Sequence, residues 1–428
     1  MKSRILLASA VMAATGITTV QSAELPDTLY IPERAIVVTG NHQKATDLMA
    51  VLYNRSDLHY SDPNAPRFLF FDREGKVAFG IGGYAKGTLQ YDFDGSINEG
   101  SSFTTYDIPV PLNPAQRNAF DGTANHSTIF LQLVGRSSKF GYYQMYIQTN
   151  FSGNGPNGYG LKLKQAYVSL GNVTAGLTRS TFVDGSAGTP TIDDEGPAGE
   201  ATGKNILLRY ARTFGKGFRV AASVEVPQTS FTTNEYVSHI SQRVPDIPVN
   251  IQYSWDNGNS HIRLSGLLRD LSYRDLVTSK NQFKFGWAAQ LSGTWAVTPA
   301  FRTYFQGAYG RGYGRYVNDL EGNGFDLIPS TTPGKMEAPR TMNYELGLQY
   351  NVTPALFFAG SYSRATVFGQ SHLGPDTYRY GQYLSVSGFY DVVSELRIGI
   401  EYLHGNRKDV SGQSGRANRI MGMIQYNF

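Results

Sequence analysis

Lys86, Arg136, Arg209, Arg219, Arg263, Arg269, Lys284, Arg302, Arg379, Arg397 and Arg419 share one placement. Each occupies the polar parity of a segment whose alternate residues are apolar. A guanidinium is planar, permanently charged and able to grip a carboxylate through two parallel hydrogen bonds. Gathered on one concave wall, such groups attract anions and repel cations, and low-dielectric surroundings strengthen the field. Asp92, Glu225, Glu345 and Glu401 fall on the same parity, so some of these cations are expected to pair with wall carboxylates. The balance on that face remains basic. The formal charge of the whole chain is only +4, so distribution matters more than total.

The stretch 183–204 runs the other way. Asp184, Asp193, Asp194, Glu195 and Glu200 crowd a segment rich in Gly, Pro and Thr, with Lys204 as its basic residue. Folded against an arginine wall, such a loop would constrict a channel and set up a transverse field that aligns dipolar solutes. The other reading is an exposed acidic loop touching divalent ions of surface lipopolysaccharide. Enzyme chemistry finds little footing. Hydrolysis needs a nucleophile, a base and an orienting group, whereas His42, His59, His126, His239, His261, His372 and His404 are scattered. No His-x-x-x-His pair or acid cluster has zinc-ligand spacing. No catalytic residue, metal, cofactor or nucleic-acid partner is expected. With no cysteine, a lipoprotein, a disulfide scaffold and a thiolate-metal site are excluded.

The elements that must carry these charges read as strands. From Val77 onward apolar residues alternate with polar ones. Val77, Phe79, Ile81, Gly83, Ala85, Leu89, Tyr91 and Phe93 lie on one face, and Tyr84, Lys86, Thr88, Gln90 and Asp92 on the other. The same pattern recurs around Tyr143–Phe151, Phe283–Trp295 and Met342–Tyr350. Sixteen strands are expected, near 77–93, 127–139, 141–152, 160–170, 172–182, 205–214, 218–227, 248–256, 260–275, 281–296, 299–313, 341–351, 355–366, 378–392, 395–409 and 417–428. Strands 160–170 and 355–366 have ambiguous faces, as expected where protomers pack together. Short turns at Gly215–Gly217, Asp256–Gly258, Val297–Pro299 and Asn351–Pro354 contrast with long connections near 94–125, 183–204, 227–247, 314–340 and 366–376. Asp256–Gly258 falls where a long connection would be expected. Aromatics make up 13% of the chain, with 28 Tyr and 24 Phe, which suits girdles at the bilayer edges.

The fold expected is therefore all-β, a transmembrane antiparallel barrel of about sixteen strands in a bacterial outer membrane, wide enough for an aqueous lumen. Lys2 and Arg4, then the apolar run Ile5–Ile17 and small residues near Ser22, read as a signal peptide over 1–22. Residues 23–76 read as a short N-terminal periplasmic extension, with a helix near Gln43–Tyr53 and a strand over Arg67–Phe71. The barrel occupies 77–428. Its last strand alternates Ile420, Ile424, Tyr426 and Phe428 against Arg419, Met421, Met423 and Gln425. Tyr426 and the terminal Phe428 resemble the signal read by barrel-assembly machinery.

Several local motifs resemble the DcaP-like trimeric outer-membrane porins. They are Ile81-Gly82-Gly83-Tyr84-Ala85-Lys86, Tyr91-Asp92-Phe93-Asp94-Gly95 and Arg136-Ser137-Ser138-Lys139-Phe140-Gly141. Gly158 to Tyr167, Ala175 to Phe182 and Glu195-Gly196-Pro197-Ala198-Gly199 add to the set, which covers about 80–215. Arg179 departs from the pattern, standing where an aromatic is expected. The resemblance implies a homotrimer of sixteen-stranded channels for small anionic solutes, dicarboxylates foremost, surrounded by outer-membrane lipid. An alternative is a barrel whose long loops, such as 94–125 and 314–340, mediate adhesion or partner binding.

Overall fold

The computed structural model describes residues 36–39, 48, 66–95, 97, 102–155, 158–215 and 217–428. The signal peptide expected over 1–22 lies outside them, as does the Gln43–Tyr53 helix apart from Leu48, which is helical and buried.

Among the described residues, sixteen long strands form a closed antiparallel barrel. The first four are β1 (Val77–Asp94), β2 (Thr128–Ser137), β3 (Gly141–Gly153) and β4 (Gly160–Leu170). Then come β5 (Val173–Arg179), β6 (Lys204–Phe214), β7 (Phe218–Glu225) and β8 (Ile247–Trp255). β9 (Ser260–Asp275), β10 (Lys280–Ala296), β11 (Phe301–Arg311) and β12 (Arg340–Asn351) follow. The last are β13 (Leu356–Phe368), β14 (Tyr378–Val393), β15 (Leu396–Asp409) and β16 (Ser414–Asn427). Each pairs with the next, and β16 returns to β1 in a register running from Asn418↔Asp94 to Asn427↔Tyr84. Closure leaves no long unpaired edge, which lets strands cross hydrocarbon with their backbone satisfied.

Side-chain parity explains why the barrel forms with its apolar face outward. On β7, Phe218, Val220, Ala222 and Val224 are exposed while Arg219, Ala221, Ser223 and Glu225 are buried. The same inversion holds around the wall: Ile206, Leu264, Leu291, Ile400 and Ile424 are exposed, and Gln290, Glu345, Glu401 and Arg419 are buried. A soluble protein does not present so much contiguous apolar surface to water. A bilayer is the solvent that fits it.

Connections alternate strictly. Short turns at 138–140, 171–172, 215–217, 256–259, 297–300, 352–355 and 394–395 gather at one end. The other end carries 95–127, 154–159, 180–203, 226–246, 276–279, 312–339, 369–377 and 410–413. The turn at Asp256–Gly258 thus sits at the short-turn end, contrary to the sequence reading, because the four-residue link 276–279 that follows β9 is itself a connection at the loop end. In barrels of this type the short-turn end is periplasmic.

The core lies inside the barrel and is built by inward-folded loops. Phe182 and Val183 of one loop pack with Tyr313, Tyr316, Leu320 and Phe325 of another, against Leu267, Val367 and Tyr378 of the wall. Phe103 and Ile108 join Ile192 and Ala198 against Tyr383, Leu403 and Met421. At the seam, the expected strand near 67–71 is present: Phe68–Phe71 pairs antiparallel with Ala78–Ile81 of β1. Phe428 exchanges backbone hydrogen bonds with Gly83 just beyond it. The chain's last residue and the N-terminal segment therefore close the same edge in line.

Candidate functional site

Most cations of the interior wall fall into two kinds. The first kind is buried and paired. Arg269 is fully buried, donating to Asp246 at 3.1 Å and Asp326 at 2.7 Å and to the carbonyls of Gly312 and Gln228. Its guanidinium also lies 5.2 Å from the Tyr316 ring centroid. Arg419 is held by Asp92 at 2.6 Å and by the carbonyls of Ser102 and Ile97. Arg397 pairs with Asp391 at 2.6 Å and sits 5.1 Å from the Phe357 ring centroid. Such groups carry charge, but each has a local anion or carbonyl set that offsets it.

A further set anchors the acidic loop 180–203. Lys86 donates to Asp194 at 2.6 Å and to the Ile192 carbonyl at 3.0 Å. Arg263 donates to Gln252 Oε1 and the Val183 carbonyl and stands 3.6 Å from Asp184. Arg209 donates to Thr181 Oγ1 and the Arg179 carbonyl. Wall carboxylates complete the clamp. Glu345 accepts from the Thr189 N–H, the Thr189 hydroxyl and Gln306. Glu401 accepts from the N–H groups of Ile192 and Asp193 and from Ser387. The loop is therefore pinned inside the barrel by charge-assisted hydrogen bonds at several points along its length.

This anchoring consumes most of the loop's own acids. Asp184 accepts from His261 at 2.8 Å and Ser292 at 2.7 Å. Burial would raise its pKa, but Arg263, His261 and Ser292 outweigh it and hold the carboxyl far below the usual range. Asp193 accepts from the Phe103 N–H and the Tyr383 hydroxyl. Burial and the neighbouring Glu401 push its carboxyl well up. Glu195 and Glu200 stay half-buried. Glu200 lies against Gly188 and Gly196, and burial together with Glu345 raises it to about 8.

The remaining sequence candidates scatter. Lys284 and Arg302 are half-buried, and Arg136 is exposed at the end of β2. Arg379 does not take the inward position expected of it. The register shifts between Tyr378 and Tyr380, so Tyr378 is the buried side chain and Arg379 is exposed. A bulge of this kind resets parity by one residue.

The second kind of cation was not among the sequence candidates. Lys162, Lys164, Arg179 and Lys204 lie on the adjacent strands β4, β5 and β6. Lys162 is the register partner of the buried, inward Asn150, and Arg179 is the partner of Lys204. A register shift between Gln148 and Thr149 places Lys164 at a bulge. Lys164 is within electrostatic range of Lys162, Asp194, Glu195 and Glu321, and Lys204 of Lys164, Arg179 and Glu321. The Arg179 guanidinium packs directly on Gly185 of the inward loop, in the space a side chain at that position would fill. Among the described residues, none of these four side chains has a hydrogen bond or ion pair. Parity missed them because a bulge and two strand ends break the alternation; the Lys162-x-Lys164 repeat and the misfit Arg179 were the signals available.

Residues 74–428 match the family model described as DcaP outer membrane protein. The outer membrane channel DcaP of Acinetobacter baumannii superposes with a TM-score of 0.73 at 18% identity, covering 84% of this chain and 99% of that one. The anion-selective porin from Comamonas acidovorans gives a TM-score of 0.53 at 10% identity, covering 82% and 100%. OmpT of Vibrio cholerae in a trimer form gives 0.50 at 9% identity, covering 82% and 100%. At these identities the likeness is one of fold. Comparison with curated proteins gave no match.

Proposed function

The chain belongs to the DcaP outer membrane protein family, a channel of the bacterial outer membrane, and on that premise we propose that it passes small, preferentially anionic solutes by passive diffusion. Dicarboxylates are the leading class. The single observation that carries this reading is the set Lys162, Lys164, Arg179 and Lys204, whose charges have no partner in the wall. Cations offset by Asp92, Asp246, Asp326 or Asp391 contribute little net field, whereas cations without a direct ion pair leave more of their field, in a low-dielectric channel, to a passing ion. Two cationic groups on neighbouring strands, such as Arg179 and Lys204, suit a solute with two carboxylates.

The same proposal includes a homotrimer in outer-membrane lipid, a signal peptide over 1–22, an extension over 23–76 and a barrel over 77–428. Tyr426 and Phe428 are read as the assembly signal, and the pairing of Phe428 with Gly83 at the seam supports a role in closing the barrel. The inward packing of 102–110, 180–203 and 312–339 supports transport over loop-mediated adhesion, since these segments face the interior.

The test is planar-bilayer recording of the refolded protein under a salt gradient, with succinate added. Reversal potentials on the anion side and a succinate-dependent drop in current are the expected result. Cation preference would overturn the selectivity reading and leave the channel.

A further inference from the structure

Arg219 stands apart from the other inward arginines. It is only 6% exposed, yet among the described residues no hydrogen bond or ion pair reaches its side chain, and its Nε is fully buried without a partner. Its register partner on β6 is Thr213, whose hydroxyl is likewise buried and unpartnered. On the other side Arg219 faces Gln252 of β8, but Gln252 is already committed. Its Oε1 accepts from Arg263 and its Nε2 donates to Ser254. The nearby charges make matters worse, since Arg209 and Arg263 are within electrostatic range and Asp184 is the single acid among them. Asp184 itself accepts from His261 and Ser292.

A buried cation beside two like charges is costly unless an anion joins it. Two donors one cross-strand step apart, a guanidinium and a hydroxyl, match the two oxygens of a carboxylate. We propose that Arg219 and Thr213 form a subsite for one carboxylate group of a permeating solute. Arg219 is the second residue of β7, next to the turn 215–217, so the subsite lies toward the short-turn end of the lumen. The unpaired cations Arg179 and Lys204 lie at the opposite ends of β5 and β6, where loop 180–203 joins them. A solute drawn past the loop thus meets a second cationic station before it leaves. This inference rests on the anion-channel reading and locates a discrete site within it.

The experiment is calorimetric titration of the detergent-solubilised full chain with succinate, and separately with inorganic phosphate, in wild type, Arg219→Gln, Arg219→Lys and Thr213→Val. Thermal unfolding is recorded for each without ligand. Arg219→Gln is expected to weaken succinate binding roughly tenfold or more, and Thr213→Val roughly threefold. Arg219→Lys, which keeps the charge and loses the fork, is expected to fall between Arg219→Gln and wild type. Arg219→Gln is also expected to unfold at the same temperature as wild type or higher, because it removes an uncompensated buried charge. Equal succinate affinity in Arg219→Gln and wild type would overturn the subsite, as would a less stable Arg219→Gln, which would make Arg219 a structural residue. Phosphate binding lost in Arg219→Gln without any succinate binding would overturn the carboxylate assignment. The reversal potential of the wild type decides the channel reading separately: anion preference with unchanged succinate affinity in Arg219→Gln sinks the subsite alone.

Discussion

Arg419 on β16 and Arg179 on β5 both reach toward the interior of the same barrel. Arg419 has no exposed surface, two hydrogen bonds to Asp92 and two to loop carbonyls. Arg179 is half-buried, rests on a glycine and has no partner for its guanidinium. The contrast extends to their surroundings. On β9, β15 and β16, Arg269, Arg397 and Arg419 each hold a carboxylate, and Arg269 and Arg419 also tie connections to the wall. Across β4, β5 and β6 the cations gather with their nearest acids left on the loop they face. One stretch uses positive charge to hold the interior together; the other leaves it without a direct ion pair, and the proposed anion selectivity draws on that second stretch. Counting basic residues on a wall would treat the two alike, and only their pairing separates them.

The largest effect is expected on the holding side. Arg269→Met should destabilise the barrel by about 3–5 kcal/mol, because Asp246 and Asp326 would be left as buried, uncompensated carboxylates. Thermal or denaturant unfolding of the refolded protein measures this. A loss below about 1 kcal/mol would mean that Arg269 and its acids are no tighter than a surface pair, and the distinction between the two regions would blur.

A smaller effect should come from pH. The Glu200 carboxyl, raised to about 8 by burial and by Glu345, is mostly neutral below that value and anionic above it. It faces Arg179, Glu345, Glu195 and Asp184. When neutral it leaves Arg179 unopposed; when ionised it offsets it. Anion preference should therefore weaken as pH rises through about 8, and Glu200→Gln should flatten that dependence. Reversal potentials at pH 7 and pH 9 give the comparison. An identical drop in Glu200→Gln would place the titration elsewhere.

The sixteen strands were legible because a lipid-facing wall demands an apolar residue at every second position, and Val77–Phe93 or Phe283–Trp295 show it without help. Turn chemistry was legible for the same local reason, as at Gly215–Gly217. Pairing was not. Asp246 and Asp326, which neutralise Arg269, lie in connections far from it along the chain, and no periodicity announces which loop folds inward to meet which arginine. Bulges defeated parity in two places. The shift after Tyr378 put Arg379 on the outside, and the shift opposite Gln148 hid Lys164. The acidic loop 180–203 does enter the barrel. Its acids, however, are mostly accounted for by anchoring, because a buried backbone segment must satisfy its own polar groups before it can present charge to a solute.

The most direct test is the reversal potential of the combined variant Lys162→Gln, Lys164→Gln, Arg179→Gln and Lys204→Gln, set beside wild type under the same salt gradient. Anion preference is expected to collapse toward neutrality while the unfolding temperature barely moves, since none of the four side chains has a hydrogen-bond or ion-pair partner to lose. An unchanged reversal potential would contradict this and return the selectivity to the paired arginines of β9, β15 and β16.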